Sequence, residues 1–142
     1  AARCQGIGEK ITSLTPWEGL PLVIVRPNVS VSTGKAYHQL DQLAVKPANT
    51  TDACEKALAE RNRDHLASSL SNDFEAGLFP LEPILQDTSS YLRKQNRPAL
   101  MTGSGSAFFL LAKDRADQKQ LAKQIRETKP DWFVAEARTV GK

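Results

Sequence analysis

The residues predict an α+β fold in which an antiparallel four-stranded sheet carries helices on one face. Short apolar runs read as strands at Leu22–Val25, Pro98–Met101, Ala107–Leu111 and Trp132–Ala137. Between them lie segments with capping residues and apolar positions at helical spacing. From the first strong strand the order is β, helices, β, β, α, β, so two βαβ-like halves meet at a central hairpin. That order describes a ferredoxin-like sandwich, and no internal sequence repeat accompanies it.

Each element has a local reason. Gly6-Ile7-Gly8-Glu9 is a turn signal, and residues 1–15 are expected to form a hairpin around it. Pro16 and Gly19-Leu20-Pro21 punctuate the chain before the first strong strand. Leu22-Val23-Ile24-Val25 is rich in β-branched residues and bounded by Pro21 and Pro27, which predicts a buried strand. Ser32 or Thr33 can cap a short helix reaching about Leu40, and a linker containing Pro47 spans Gln42 to Thr51. Asp52-Ala53-Cys54-Glu55 has the spacing of a capping box, which predicts a helix to about Ser69 with a thin apolar stripe of Ala57, Leu58 and Leu66. The next helix places Leu81, Ile84, Leu85, Tyr91 and Leu92 on one face, with Pro80 and Pro83 fitting only its first turn. Thr102–Ser106 joins two strands, and Asp114 caps a helix with Leu121, Ala122 and Ile125 on one side.

The chain has 142 residues, a length that suits one core, and 40% hydrophobic and 25% charged residues are ordinary for a globular domain. No run is long and apolar enough to span a membrane, and Ala1–Gln5 has no apolar signal-peptide core. The absence of an initial Met leads us to expect a fragment or processed piece. Cys4 and Cys54 are far apart in the sequence and in no metal-binding spacing, so a reducing cytosol is expected. The net charge of +3 is a mild bias with both signs interspersed, and it suits an anionic small molecule as well as nucleic acid.

Three motifs can carry chemistry. In Met101-Thr102-Gly103-Ser104-Gly105-Ser106-Ala107 the glycines permit positive φ, and such a loop can turn several backbone N–H groups toward one anion, with the Thr102, Ser104 and Ser106 hydroxyls as further donors. It is not a Walker A loop, since no Lys follows the glycines, and a tight connection between strands explains it equally well. In Pro27–Tyr37 a strand runs into a polar turn and a helix start, where amides and the Ser32 and Thr33 hydroxyls can hold a polar group and Tyr37 offers a ring for stacking. Taken alone, capping by Thr33 and a packed Tyr37 is the simpler account. Ser71-Asn72-Asp73-Phe74-Glu75 reads as helix N-terminal capping. His38 and His65 form no ligand pair with Cys or carboxylates, no Ser sits in a nucleophile elbow and no carboxylate couple stands out, so no catalytic residue is assigned in this chain and no metal site.

Together and in this order, Gly6–Glu9, Leu22–Tyr37, Ser71–Glu75 and Met101–Ala107 resemble the C-terminal half of the 4-diphosphocytidyl-2-C-methyl-D-erythritol kinase family, within the GHMP superfamily; Gln42–Leu70 matches only loosely. The resemblance implies a kinase that moves the γ-phosphate of ATP onto the 2-hydroxyl of a cytidyl substrate in non-mevalonate isoprenoid biosynthesis, in bacterial cytoplasm or plastid stroma. It implies that Tyr37 stacks on the cytosine, that Thr33 lies close to the substrate, and that the loop of Thr102, Gly103, Ser104, Gly105 and Ser106 borders the phosphate-transfer region. It further implies that the catalytic Lys and Asp, and the loop holding ATP with magnesium, belong to an N-terminal half. On this reading residues 1–19 are a hairpin and linker from that half, residues 20–142 are the substrate-side domain, and the chain alone binds no cofactor and has no kinase activity. Homoserine or mevalonate kinases are the rival within the superfamily, and the Pro27–Tyr37 segment favours the cytidyl substrate. A binding module on the same fold is the other alternative. RNA recognition is disfavoured because Phe108 and Phe109 are adjacent and point to opposite faces, with no basic glycine motif before them.

Overall fold

A computed structural model of the chain describes residues 1–43 and 48–141. The expected hairpin forms from β1 (Ala2–Gln5) and β2 (Lys10–Ser13), paired antiparallel with Cys4 opposite Ile11. Gly6 and Gly8, at φ 69° and 104°, make the turn in a region that other residues rarely adopt. Ile7 and Ile11 are exposed, so the hairpin has little core of its own. It is held by Arg3, whose guanidinium donates to Asp52 at 2.7 Å and Glu55 at 3.2 Å.

The main sheet contains β3 (Pro21–Arg26), β4 (Ala99–Met101), β5 (Phe108–Leu111) and β6 (Phe133–Arg138) in the order β4-β5-β3-β6, all antiparallel. This is the topology expected from the element order. Registry sorts the side chains: Val23 opposite Leu110, and Val25 opposite Phe108, point to one face. There they are fully buried with Met101. On the same face lie α1 (Thr33–Gln42) through Ala36, α4 (Asp73–Leu78) through Leu78, α5 (Pro83–Arg93) through Leu85 and Leu92, and α6 (Arg115–Thr128) through Leu121, Ala122 and Ile125. The α6 residue Gln118 is buried, and its Nε2 donates to the carbonyls of Leu22 (2.7 Å) and Ala137 (2.6 Å), so helix and sheet are tied without leaving a buried amide bare.

These helices account for that core, and the helical stretch expected from Asp52 to Ser69 packs on the other face. There α2 (Thr51–Ala59) and α3 (Arg63–Ser69) supply Ala57 and Leu66 to a cluster with Leu20 and Leu111, flanked by Leu22 and Phe109. Phe108 and Phe109 therefore serve opposite faces, as their adjacency requires. Neither stands free as a stacking platform.

Three local expectations need correction. The helix expected from Asp52 to Ser69 is two helices, broken where Arg61 takes φ 51° and Asn62 caps α3 by accepting from His65 N–H at 3.0 Å. Asn does this because its side chain offers the backbone an alternative to continued helix. Asp52 is not an N-cap; it sits in the first turn of α2, and with Glu55 it is engaged by Arg3. A charged guanidinium is a stronger partner than a neutral amide. Finally, Leu81 and Ile84 are exposed, and the buried face of α5 is Leu85, Thr88, Ser89 and Leu92. Pro83 at the helix start and Pro80 before it separate α5 from α4, so Leu81 lies outside either helix. The expected Pro47 linker lies partly outside the described residues. Among the described residues no helix is long and apolar enough to cross a membrane.

Candidate functional site

The site is built where β3 leaves the sheet and where β4 turns into β5. Beyond Arg26, Val29 N–H donates to Pro27 C=O at 2.8 Å, which turns the chain toward α1. Ser32, with extended backbone, caps that helix. Ala36 is buried beneath it, and Tyr37, on the next position, stands 56% exposed. The Tyr37 ring is not loose: it meets Phe74 of α4 edge-on, with centroids 4.9 Å apart.

The β4–β5 loop is closed by its own backbone, with Thr102 N–H donating to Ala107 C=O at 2.8 Å and Gly105 N–H to Thr102 C=O at 3.2 Å. Gly103 and Gly105 take φ 57° and 81°, so the composition answers a conformational need. A Cβ at Gly105 would come within 3.0 Å of Met101 Sδ; at Gly103 it would meet nothing within 4 Å. The buried Ser106 turns its hydroxyl inward to Val29 C=O at 2.8 Å, while Thr102 and Gly103 remain exposed.

The two segments touch. Thr33 Oγ1 and Ser104 Oγ are 3.1 Å apart across 71 positions of sequence. An open hollow of about 500 Å³ lies beside this contact, lined by Pro27–Val31, Gly105–Ala107, Arg26, Asp131 and Phe133. Thr33 and Tyr37 stand outside that lining, at the α1 side of the loop. Of the residues expected to form a site, the structure thus joins Thr33, Ser104 and Ser106 by direct hydrogen bonds to the shared segment.

Tyr37 is linked to Gly103 through Phe74 and Asn72. The Asn72 amide donates to Met101 C=O at 2.8 Å and Gly103 C=O at 2.9 Å, while its Oδ1 accepts from Phe74 N–H at 3.1 Å. Glu75 completes the grip, accepting from Met101 N–H at 2.9 Å and Arg93 at 2.7 Å. The sequence marked Asn72 and Glu75 only as capping chemistry. Asn72 is indeed the N-cap of α4, so that signal was right and incomplete. The loop contact depends on approach of a distant strand, which no local pattern announces.

Among the described residues no three His, Cys, Asp or Glu side chains converge to hold a metal ion, and no Lys follows the loop glycines. The most displaced carboxyl, Asp117, is held down to about 2 by its hydrogen bond from Arg97, against burial, with help from Lys113 N–H. It sits at the other end of the β4–β5 hairpin from the loop, and its work is structural.

Comparison with known proteins gives the family and the fold. The model of the family described as "GHMP kinases C terminal" matches residues 53–131. The 4-diphosphocytidyl-2-C-methyl-D-erythritol kinase of Caldicellulosiruptor saccharolyticus is 33% identical over 126 residues, covering 88% of this chain and 43% of that protein. The protein of the same name from Nitratidesulfovibrio vulgaris is 37% identical over 131 residues, covering 87% and 44%. A crystal structure of 4-(cytidine 5'-diphospho)-2C-methyl-D-erythritol kinase superposes with a TM-score of 0.78 at 26% identity, over 99% of this chain and 50% of the other. Homoserine kinase from Cytophaga hutchinsonii, at TM-score 0.72 and 14% identity over 92% of this chain and 44% of its own, shares the fold. The chain spans about half the length of the relatives it matches.

Proposed function

Because the chain belongs to the GHMP kinases, through their C-terminal domain, we propose that it forms the substrate side of an ATP-dependent kinase acting on the 2-hydroxyl of 4-diphosphocytidyl-2-C-methyl-D-erythritol. The observation that carries this reading is the contact of Thr33 with Ser104, which joins the strand-to-helix segment to the glycine–serine loop at one place, beside an exposed aromatic ring. The identities to kinases of that name favour the cytidyl alcohol over homoserine or mevalonate.

In this reading Tyr37 stacks on the cytosine, and Thr33 lines the substrate path. The exposed Thr102 and Gly103, with half-buried Ser104 beside them, face the transferred phosphate. Phosphoryl transfer is largely positioning and charge stabilisation, and the chain's contribution is positioning. ATP, its magnesium and the catalytic Lys and Asp belong to an N-terminal half, to which the hairpin and linker of residues 1–19 also belong. The hairpin's exposed Ile7 and Ile11 support that division. The setting we assign is bacterial cytoplasm or plastid stroma.

The test is phosphoryl transfer by the intact kinase containing residues 1–142, offered the cytidyl alcohol, homoserine and mevalonate in parallel. Preference for the cytidyl alcohol is expected, with no turnover by the 142-residue chain alone. Preference for either other alcohol, or turnover by the isolated chain near the intact rate, overturns the reading.

A further inference from the structure

We propose that Asn72 is the positioning residue of the site, setting the glycine–serine loop in its working conformation independently of its role as a helix cap. The inference rests on the reading of that loop as the wall of a phosphate-transfer site.

The division of labour is visible atom by atom. Asn72 Oδ1 accepts from Phe74 N–H, which is what any N-cap does. Asn72 Nδ2 does something a cap does not need: it donates to the carbonyls of Met101 and Gly103, on both sides of Thr102. An amide carries two N–H groups, and here each has its own acceptor. Those carbonyls belong to the last residue of β4 and to the first glycine of the loop, at positive φ. Holding both fixes the peptide planes around Thr102, so that the exposed face of the loop presents the same groups each time.

The same residue fixes the opposite flank. By ordering the first turn of α4 it sets Phe74, whose ring edge supports Tyr37. Glu75, in the same turn, receives Met101 N–H, so the backbone of Met101 is gripped at both its N–H and its C=O. One short helix start therefore holds the loop and the aromatic ring in a common frame. A displacement of about 1 Å at such a group can cost about a hundredfold in rate.

Substitution separates the two roles. Asn72→Asp keeps an excellent cap acceptor and removes both donors, placing a carboxylate against two carbonyl oxygens. Asn72→Ser keeps a capping oxygen, is neutral, and has one hydroxyl that cannot serve both carbonyls. In the intact kinase Asn72→Ser is expected to retain Tm within about 4 °C, and Asn72→Asp to lose more, because its carboxylate faces two carbonyl oxygens. Amide exchange of Thr102 and Gly105, the two N–H groups that close the loop, is expected to rise about tenfold, and kcat toward the cytidyl alcohol to fall at least about tenfold with a smaller change in KM. Wild-type loop exchange in whichever variant folds overturns the proposal. So does faster exchange with unchanged kcat, which would make the grip structural only. Should the wild-type kinase phosphorylate none of the alcohols offered, the functional reading fails, and loop exchange still decides whether Asn72 orders the loop.

Discussion

Replacing Tyr37 by Ala tests the substrate side directly, because the ring's exposure lets binding be separated from stability. At 56% exposed, Tyr37 contributes little to the core, and its described aromatic contact is the edge of Phe74 at 4.9 Å. Losing an edge-to-face pair of this kind costs about 0.5–1.5 kcal/mol, so the protein should remain folded. Losing a stacking platform costs about 1–3 kcal/mol per base. At about 1.4 kcal/mol per tenfold, that is a rise of roughly five- to 140-fold in KM for the cytidyl alcohol. ATP affinity should not change, since ATP contacts belong to the other half in this reading. Tyr37→Phe keeps the ring and should keep most of the affinity. Steady-state kinetics of the intact kinase with each substrate varied in turn, with Tm measured beside them, reads all these quantities. Unchanged KM in the folded Tyr37→Ala protein would refute the stacking role and leave Tyr37 as packing for Phe74. A parallel rise in the KM for ATP would refute the assignment of the ring to the substrate side.

Two further perturbations probe the loop and the frame. Gly105→Ala should destabilise more than Gly103→Ala in urea denaturation. Both positions have positive φ, which costs about 1–2 kcal/mol for a residue with a Cβ. Only at Gly105 does the new methyl press on a buried neighbour, Met101 Sδ at 3.0 Å, adding about 1 kcal/mol. Equal losses would show that Met101 swings aside. Asp117, held at about 2 against an ordinary 3.8, should contribute about 2 kcal/mol at neutral pH. A depressed carboxyl stabilises above its unfolded value, so this contribution is complete above about pH 5 and is lost as pH falls from about 4 through 2. Asp117→Asn should therefore lower neutral-pH stability by about that amount and flatten the acid limb of a stability–pH curve; an unchanged acid limb would contradict the Arg97 pairing.

Much of the fold was legible because its signals are local. Leu22–Val25 declared a buried strand through β-branched residues between prolines, and β3 spans it. Asp114 declared the start of α6, and it accepts from Asp117 N–H at 2.8 Å. The sheet order followed from the order of elements, since short connections and consistent handedness leave few alternatives. The failures were also local signals, overridden by partners from elsewhere. Asp52 and Glu55 have capping-box spacing, but the hairpin delivers Arg3 to them. Ile84 lies on a helical stripe, yet α5 is rotated so that Thr88 and Ser89 are inside, where the Thr88 hydroxyl donates to Ile84 C=O at 2.7 Å.

Residue types and spacings alone thus determined the main strands, the start of α6 and the order of the elements, because propensity, periodicity and turn chemistry act within a turn or two of chain, while a site role for Thr33, Tyr37 and Thr102–Ser106 came from the family resemblance. Tertiary structure decided which of those segments meet. It set the Thr33 hydroxyl against Ser104, turned Ser106 inward to Val29, and gave the Asn72 amide two carbonyls, one from the end of β4 and one from the loop after it, about thirty residues away. A polar side chain that packing withdraws from water must bond to whatever acceptor packing brings near, and that acceptor is chosen by the approach of distant backbone rather than by any neighbour in the sequence.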